Sequence, residues 1–379
     1  MKNPAYPSWI RTTFWILTLL VVSACSQDEL EGLLENGSET EEPLENPNPE
    51  NPDDDATEND NGNELPAGSV TLADNLILDK DHRFVNYILP QSEYQKFLED
   101  QADFKAVTKT IYTHLDDVYD FVFILAVAED QPENLGYYGI NHTVQNPTQG
   151  LGGNVYDNTA AYGSKGRLKS VLFMPRTEYV KSGPFLHEIA HYWANHGFIE
   201  TTVWGHWGYA STGGQLGGFD EFVTLENGSY QGKMEGQNGF GTFANGGNSV
   251  PYSNVELYMM GLIGPDELES IQVAQNPKPG NQFGQFTADG FTTLTAQDLI
   301  AEHGPRIPDH TQAQKEFTAL AIIVSPEALS TEKLDQVNTD LENFARPAQV
   351  DASWGNTYNF WMATAQKATL KVDIHQLVD

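Results

Sequence analysis

Cysteine and basic residues are both scarce in this chain. Cys25 is the only cysteine among 379 residues, so the protein has no intramolecular disulfide to make. Lysine and arginine together number 20, against 53 aspartates and glutamates, which gives a net charge of −33. A nucleic-acid-binding surface needs concentrated positive charge, so this composition argues against nucleic acid as a partner.

Long hydrophobic runs are also lacking, apart from one near the N-terminus. Residues 14–22 are mostly apolar, follow Lys2 and Arg11 and precede small residues, which is the layout of an export signal. The run is too short to cross a bilayer as a permanent helix. The tetrapeptide VSAC that ends at Cys25 resembles a bacterial lipobox. The resemblance implies that residues 1–24 are a lipoprotein signal peptide and that lipid on Cys25 anchors the mature protein to a membrane.

The segment that follows Cys25 is acidic and rich in proline, asparagine and glycine. Residues 28–64 contain neither lysine nor arginine, so we predict that residues 25–68 form a disordered, self-repelling tether. This tether carries a large share of the net charge, which therefore says little about the fold. Its first residues, SQDE, are similar to the acidic segment that directs some bacterial lipoproteins to the cell surface. The resemblance implies a surface-exposed lipoprotein of a bacterial outer membrane.

The remaining residues, 69–379, are enough for one large domain or for two lobes with a cleft. Short apolar runs predict strands, and amphipathic or capped segments predict helices. The predicted strands are residues 120–127, 136–146, 168–175 and 317–324, with 136–146 nearest an edge. Residues 92–115 are predicted to form one or two helices, and further helices are predicted at residues 253–262, 295–304 and 330–345. We therefore expect an α+β protein with a mixed sheet.

The sequence GPFLHEIAHYWANHGF, residues 183–198, contains the strongest functional pattern. His187 and His191 are four residues apart in a predicted helix that starts at residues 182–184 and stops at Gly197. Both rings then lie on one face, one turn apart, at the separation that suits a tetrahedral zinc ion. Glu188 is displaced by one residue, so it is placed to act as a general base on the attacking water.

This His-Glu-x-x-His pattern resembles that of the zincin metallopeptidases. The resemblance implies a two-lobed zincin-like domain, with residues 69–198 and 199–379 as the lobes and the motif helix at the floor of the cleft. It also implies a membrane-anchored zinc endopeptidase, with Zn²⁺ as cofactor and proteins or peptides as substrates. We expect the protein to act as a monomer.

A zinc site of this kind needs a third protein ligand, and the spacings of two zincin subgroups do not supply it. The metzincin pattern requires glycine and histidine where this chain has Ala194 and Gly197. The thermolysin-like pattern requires glutamate where the chain has Ser211. His196 lies five residues after His191, about 140° around a helix, so it faces away if the helix continues.

His206 and Glu256 are the stronger candidates for the third ligand. His206 follows the motif helix after a loop long enough to reverse direction, although it could instead be packed among Trp204 and Trp207. Glu256 lies in the predicted helix 253–262 and could ligate as in gluzincins, cap the helix or pair locally. Weaker candidates lie in the glycine-rich segment between them: Asp220, Glu221 and Glu226.

A second resemblance spans residues 185–308. The order HEIAHYW, GHWG, YSNVELYMMGL and GPRIP is similar to that of an uncharacterised group of exported bacterial zincin-like proteins. In that group the histidine of the His-Trp pair is retained, whereas the acidic residue of the later helix varies between Asp and Glu. The resemblance implies that His206 is the third ligand. Met259 or Met260 could form an apolar floor beneath the metal, although a methionine in a short apolar helix is more often core.

Three functions remain open at the level of the sequence. A zinc endopeptidase would bind its substrate along the edge strand 136–146 by strand addition. Its oxyanion would be stabilised by one of three residues between which spacing does not choose: Tyr252, Tyr258 and His303. A non-catalytic adhesin or glycan-binding lipoprotein would hold a structural metal or none, which leaves Glu188 without a role. The third function is zinc-dependent hydrolysis of another bond, such as an amide in peptidoglycan.

Overall fold

A computed structural model describes residues 67–350 and 352–374, together with the main chain of residues 22–26. The predicted signal peptide 1–24, the lipidated Cys25 and the tether 25–68 fall almost entirely outside the described residues, so these interpretations stay predictions. Within the part of the chain that is described, no helix is long and apolar enough to cross a membrane.

The described residues form eighteen strands and eight α-helices, so the chain is an α+β protein, as predicted. The strands are β1 (Val22–Ser26), β2 (Val70–Ala73), β3 (Leu76–Leu78), β4 (Phe84–Ile88), β5 (Phe121–Ala126), β6 (Tyr137–Thr143), β7 (Gln145–Asn146), β8 (Tyr156–Asp157), β9 (Ser170–Met174), β10 (Glu221–Thr224), β11 (Tyr230–Met234), β12 (Gln237–Asn238), β13 (Ile271–Gln275), β14 (Lys278–Pro279), β15 (Gln285–Thr287), β16 (Gly290–Leu294), β17 (Glu316–Ser325) and β18 (Thr369–Val372). The helices are α1 (Gln91–Leu98), α2 (Phe104–Ile111), α3 (Tyr179–Ser182), α4 (Phe185–Ala190), α5 (Asn254–Met260), α6 (Ala296–His303), α7 (Thr331–Ala345) and α8 (Phe360–Ala363).

The main sheet has nine strands in the order β1-β6-β9-β5-β17-β4-β3-β2, with β18 beside the first half of β17. Strands β9, β5, β17 and β4 are parallel to one another, whereas β6 and β3 run antiparallel to their neighbours. The sheet is therefore mixed, as predicted. Its central strands read as continuous apolar runs because both of their faces are covered.

Strand β17 shows that the sheet does not divide at residue 198. It comes from the predicted C-terminal lobe, 199–379, yet it lies between β5 and β4 of the predicted N-terminal lobe, 69–198. A parallel strand can join a sheet from any distance along the chain, so a boundary drawn at the end of the motif could not anticipate this pairing. The C-terminal residues thus complete the sheet on which the motif helix lies.

Alternate side chains of β5 enter two different cores. Phe121, Phe123 and Leu125 belong to the core that contains α4, whereas Val122, Ile124 and Ala126 belong to the core that α1 and α2 cover. This follows from the two-residue period of a strand. In the first core, the ring of Phe185 at the start of α4 lies 4.7 Å from that of Phe123 and 4.6 Å from that of Phe344. The motif helix is thereby fixed to the sheet by aromatic packing.

The predicted helices are present with shorter bounds. The segment 92–115, predicted as one or two helices, forms two, α1 and α2. Helix α6 begins with a capping box formed by Thr295 and Asp298. At the start of α5, the Ser253 N–H donates to the Glu256 carboxylate at 2.8 Å. A second, smaller sheet has the order β10-β11-β15-β14 and packs a separate aromatic cluster around Phe219.

Candidate metal centre

A sharp turn separates helix α4 from helix α3. Gly183 separates the two helices, and a Cβ there would lie 2.4 Å from the Cβ of Tyr179, so only glycine fits this turn. The side chain of Asn248 holds the junction together: its Oδ1 accepts a hydrogen bond from the Leu186 N–H at 2.9 Å, and its Nδ2 donates to the Val180 carbonyl at 2.8 Å. Asn248 thus satisfies one of the main-chain donors that the start of a helix leaves free.

The motif helix ends at Ala190, earlier than the predicted stop at Gly197. Beyond that point the His196 Nε2 contacts the His191 carbonyl at 3.0 Å, a carbonyl that a longer helix would use. The Asn195 side chain accepts from the Ile199 N–H at 2.9 Å and donates to the His206 carbonyl at 2.9 Å. Asparagine favours such local contacts over the helix interior. The His191 N–H still bonds to the His187 carbonyl at 3.3 Å, so the two histidines remain one turn apart.

Three histidine side chains converge at the end of this helix. Each of His187, His191 and His206 offers one ring nitrogen, and these atoms all lie within 4.8 Å of one another. The three residues are 0%, 0% and 2% exposed. Among the residues that the structure describes, they form the one such group of three or more histidine and acidic side chains. The loop after the motif helix therefore returns His206 to the two histidines of the motif.

Two of the three rings are oriented by main-chain carbonyls. The Nδ1–H of His187 donates to the Gln215 carbonyl at 2.7 Å, and the Nδ1–H of His206 donates to the Trp204 carbonyl at 2.9 Å. These bonds place the proton on Nδ1 and leave the Nε2 lone pair free, which is the tautomer that a metal ligand needs.

The remaining nitrogen contacts fit a bound metal ion. The Nε2 atoms of His187 and His191 lie 3.0 Å apart, close to the separation of about 3.3 Å between two nitrogen ligands of a tetrahedral zinc ion. The Nε2 atom of His206 is buried and has no hydrogen-bond partner among the described residues. Buried polar atoms without a partner are uncommon, and three imidazole nitrogens within 4.8 Å of one another are a donor set that suits zinc.

Burial makes the three histidines neutral. Desolvation, aided by the neighbouring His206, lowers the pKa of His187 to about 3, and desolvation lowers that of His206 to about 4. The pKa of His191 is likewise lowered well below its usual value by burial and by the other two rings. Only a neutral imidazole can donate a lone pair to a metal, so the site is in its ligating protonation state at neutral pH.

These pKa shifts predict that acid destabilises the zinc-free protein. Each folded-state pKa lies below the unfolded value of 6.5, so the stabilisation is complete above pH 6.5 and is lost as pH falls towards about 4. The expected loss is about 2 kcal/mol for each such group between pH 6.5 and pH 5. Urea denaturation across this range should show a steeper loss for the parent protein than for His206→Asn. His310→Asn, outside the cluster, controls for loss of a histidine as such, and equal slopes in all three proteins would contradict the prediction.

Glu188 directly follows His187 in α4 and is fully buried. Neither of its carboxylate oxygens has a hydrogen-bond partner within the described residues. Desolvation raises its pKa well above the usual value. Its main-chain carbonyl accepts a hydrogen bond from Asn141 of β6 at 2.7 Å, so the helix is attached to this strand beside the motif. A buried carboxyl group without a partner is costly to the fold, which is typical of functional sites.

Gly139 of β6 allows the strand to pass close to Glu188. A Cβ at this position would lie 2.8 Å from the Glu188 Cγ and 2.8 Å from the Met174 Sδ. Gly139→Ala should therefore lower the unfolding free energy by about 1–3 kcal/mol through overpacking and displace the Glu188 side chain. Gly136→Ala is the matched control, because a Cβ at Gly136 meets nothing within 4 Å. Denaturant unfolding that gives equal losses for the two variants would contradict this account.

Other candidate ligands have different roles. The carboxylate of Glu256 accepts four hydrogen bonds, from Trp207, Gln215, Leu216 and Ser253, and does not join the three histidines. The ring Nε2 of His196 bonds to the His191 carbonyl at 3.0 Å. The weaker acidic candidates Asp220, Glu221 and Glu226 are exposed and lie outside the cluster.

The predicted oxyanion residues are engaged elsewhere. The Tyr252 hydroxyl donates to the Leu186 carbonyl at 2.8 Å, and the His303 Nε2 contacts the Phe198 carbonyl at 2.9 Å. The ring of Tyr258 stacks on that of Phe198 at 5.9 Å. Met259 and Met260 are buried members of the main core. None of these contacts directs a donor at the histidines, so the structure does not select an oxyanion donor from this set.

Sequence reasoning missed the groups that orient the ligands. The carbonyl oxygens of Trp204 and Gln215 fix two imidazoles, and Asn248 fixes the start of the motif helix. A main-chain carbonyl has no sequence signature, because every residue has one. Asn248, in the segment NGGNS, offered a weak signal as a capping residue, but its helix lies 62 residues away along the chain.

Comparison with known proteins gives no match. No protein-family model matches this chain, and neither a curated protein nor a solved structure matches it.

Proposed function

We propose that this protein is a zinc-dependent endopeptidase with a zincin-like domain. The observation that carries the proposal is the convergence of His187, His191 and His206 on one point, with two rings fixed by Nδ1–H bonds. A structural zinc site has four protein ligands, whereas the described part of the chain supplies three here. The fourth position is then left for water and substrate.

The residues of the site divide the chemistry between them. When bound, zinc supplies Lewis acidity that polarises the scissile carbonyl and lowers the pKa of a water molecule beside it. The three imidazoles hold the metal. Glu188 would take the proton of the attacking water and return it to the leaving amine. Burial keeps bulk water away, which strengthens each electrostatic contact in the site.

Strand β6 is the proposed binding edge for an extended peptide. One edge of β6 pairs with β9, and the other pairs with the main chain of β1, Val22–Ser26. Cleavage before Cys25 would remove most of β1 and leave this edge of β6 free. An added peptide strand would then lie beside Gly139, against which the Glu188 side chain packs. The proposed site thus combines main-chain binding with a general base at the same strand.

We also propose that the domain works at the surface of a bacterial outer membrane, as a monomer. Lipid on Cys25 would be the anchor, and the acidic tether 25–68 would give the domain reach from the membrane. Substrates would then be proteins or peptides outside the cell.

The proposal is tested by metal content and by cleavage. Residues 69–379, purified with zinc, should contain one zinc ion per chain by native mass spectrometry. The same protein should cleave members of a peptide library, lose that activity on chelation and regain it when zinc is restored. A preparation with full zinc that cleaves no peptide but releases fragments from peptidoglycan would redirect the proposal to another amide bond. Zinc-independent cleavage would sink it.

Burial favours one second candidate, a non-catalytic surface lipoprotein with a structural or vestigial metal site. The three histidines and Glu188 are at most 2% exposed, so the site as it stands admits no peptide. A peptide hydroxamate separates the two functions, because it needs an open position on the metal. Binding in the micromolar range supports the endopeptidase, and no binding to the zinc-loaded protein supports the second candidate.

A further inference from the structure

Glu256 is buried, and its carboxylate binds three separate stretches of chain. Oε1 accepts hydrogen bonds from the indole Nε1–H of Trp207 and the N–H of Leu216, each at 2.9 Å. Oε2 accepts from the N–H of Gln215 at 3.1 Å and from the N–H of Ser253 at 2.8 Å. Hydrogen bonds to an ionised carboxylate are stronger than neutral ones, so this residue fixes its four donors relative to one another.

Two of these stretches carry the groups that position zinc ligands. Trp207 directly follows His206, and its N–H also bonds to the Leu216 carbonyl at 2.9 Å. Gln215 supplies the carbonyl that accepts from the His187 Nδ1–H at 2.7 Å. The Glu256 carboxylate therefore binds Trp207, which follows the ligand His206, and Gln215, whose carbonyl orients the ligand His187.

The local chain is shaped to let this carboxylate approach. A Cβ at Gly214 would lie 2.4 Å from the Glu256 Oε2 and 2.5 Å from the Ser253 Oγ, so the contact requires glycine there. The amide Nε2 of Gln215 fixes the same turn from the other side, by donating to the Gly247 carbonyl at 2.8 Å. The turn at residues 214–217 is thus held from several directions, with Glu256 as its charged partner.

We propose that Glu256 is a positioning residue of the metal centre, which sets the orientation of His187 and the place of His206 without touching the metal. This inference rests on the proposed function only in assuming that the three histidines bind zinc. The Nδ1 atom of His191 has no hydrogen-bond partner among the described residues. The only bonds that orient the three rings in the described part of the chain are therefore those of His187 and His206 to main-chain carbonyls. Partners that orient metal ligands typically contribute about 10- to 100-fold in metal affinity.

Glu256→Gln is the direct test, because it keeps the shape but sets an NH₂ group against N–H donors. We expect the variant to retain one zinc per chain and to bind it about 10- to 100-fold more weakly, measured by competition with a chromophoric chelator. The absorption bands of the cobalt-loaded protein should shift as well, since the ligand geometry changes. Glu269→Gln, an exposed glutamate near the same helix, is the matched control and should match the parent protein.

Three results of these metal-binding measurements would overturn the inference. One is unchanged zinc affinity and an unchanged cobalt spectrum in Glu256→Gln. Another is complete loss of zinc from a folded Glu256→Gln protein while His206→Ala keeps it, which would make Glu256 the ligand. If Glu256→Gln does not fold, Trp207→Phe removes one donor and leaves the carboxylate. We expect Trp207→Phe to lower zinc affinity by less than Glu256→Gln would. An unchanged zinc affinity in Trp207→Phe is the third result that would overturn the inference.

A metal-free measurement separates this inference from the proposed function. In the zinc-free parent protein, nitrogen NMR should find the His187 proton on Nδ1, and Glu256→Gln should move part of it to Nε2. If the protein binds zinc but cleaves no peptide, the proposed endopeptidase activity is contradicted, whereas the positioning role of Glu256 is not. An unchanged His187 tautomer in Glu256→Gln would contradict the positioning role alone.

Discussion

Glu188→Gln is expected to reduce peptide cleavage by about 10²- to 10⁴-fold while the protein keeps its zinc, because a general base contributes about that much. The amide has nearly the same shape as the carboxyl group but cannot accept the proton. Neither carboxylate oxygen of Glu188 has a hydrogen-bond partner among the described residues, so the change breaks no bond to a metal ligand. Measurement of kcat/KM on a peptide from the library, with zinc content determined on the same sample, gives the comparison.

Stability distinguishes this catalytic role from a structural one. The Glu188 carboxyl is buried without a partner, and desolvation raises its pKa, so replacing it by a neutral amide should not lower the unfolding free energy. We expect a thermal midpoint at or above that of the parent protein. Glu226→Gln makes the same chemical change at an exposed residue and should preserve activity. Full activity in Glu188→Gln would mean that another group takes the proton.

His206→Ala is expected to lower zinc affinity by about 10²- to 10³-fold. Structural zinc sites gain about 10–16 kcal/mol from four ligands, so one ligand is worth about 3 kcal/mol or more. Zinc should raise the thermal midpoint of the parent protein, because it binds the folded chain, and should give little or no rise in the variant. Calorimetric titration or chelator competition measures the affinity directly.

His196→Ala is the control that makes the His206 result specific. His196 lies in the same stretch of chain and bonds to the His191 carbonyl, but it stands outside the group of three. We expect its zinc affinity to stay within several-fold of the parent value. If His206→Ala binds zinc as tightly as His196→Ala, then His206 is a packed histidine and the site has another third ligand.

Much of the local structure could be predicted from the sequence. The buried strands at 120–127, 168–175 and 317–324 are present as β5, β9 and β17, because continuous apolar runs fit only the covered centre of a sheet. The helix starts predicted near Ser253 and Thr295 are present as the starts of α5 and α6, since signals for a helix start act within four residues. The motif helix ends at Ala190 and not at the predicted Gly197, and the His196 ring bonds to the His191 carbonyl that a longer helix would use.

The sequence by itself determined that His187 and His191 share one face of a helix with Glu188 beside them, since a helical turn spans four residues. It left His206 and Glu256 as rivals. Only the tertiary structure brought His206 to the motif and placed β17 between β4 and β5. It also showed that the buried Glu256 carboxylate accepts four hydrogen bonds. The physical reason is the range of the contacts: helical spacing is set by neighbouring residues, whereas these positions depend on main-chain groups far apart in the chain. Every residue has the same main-chain groups, so the sequence does not show which of them will pair in the folded protein.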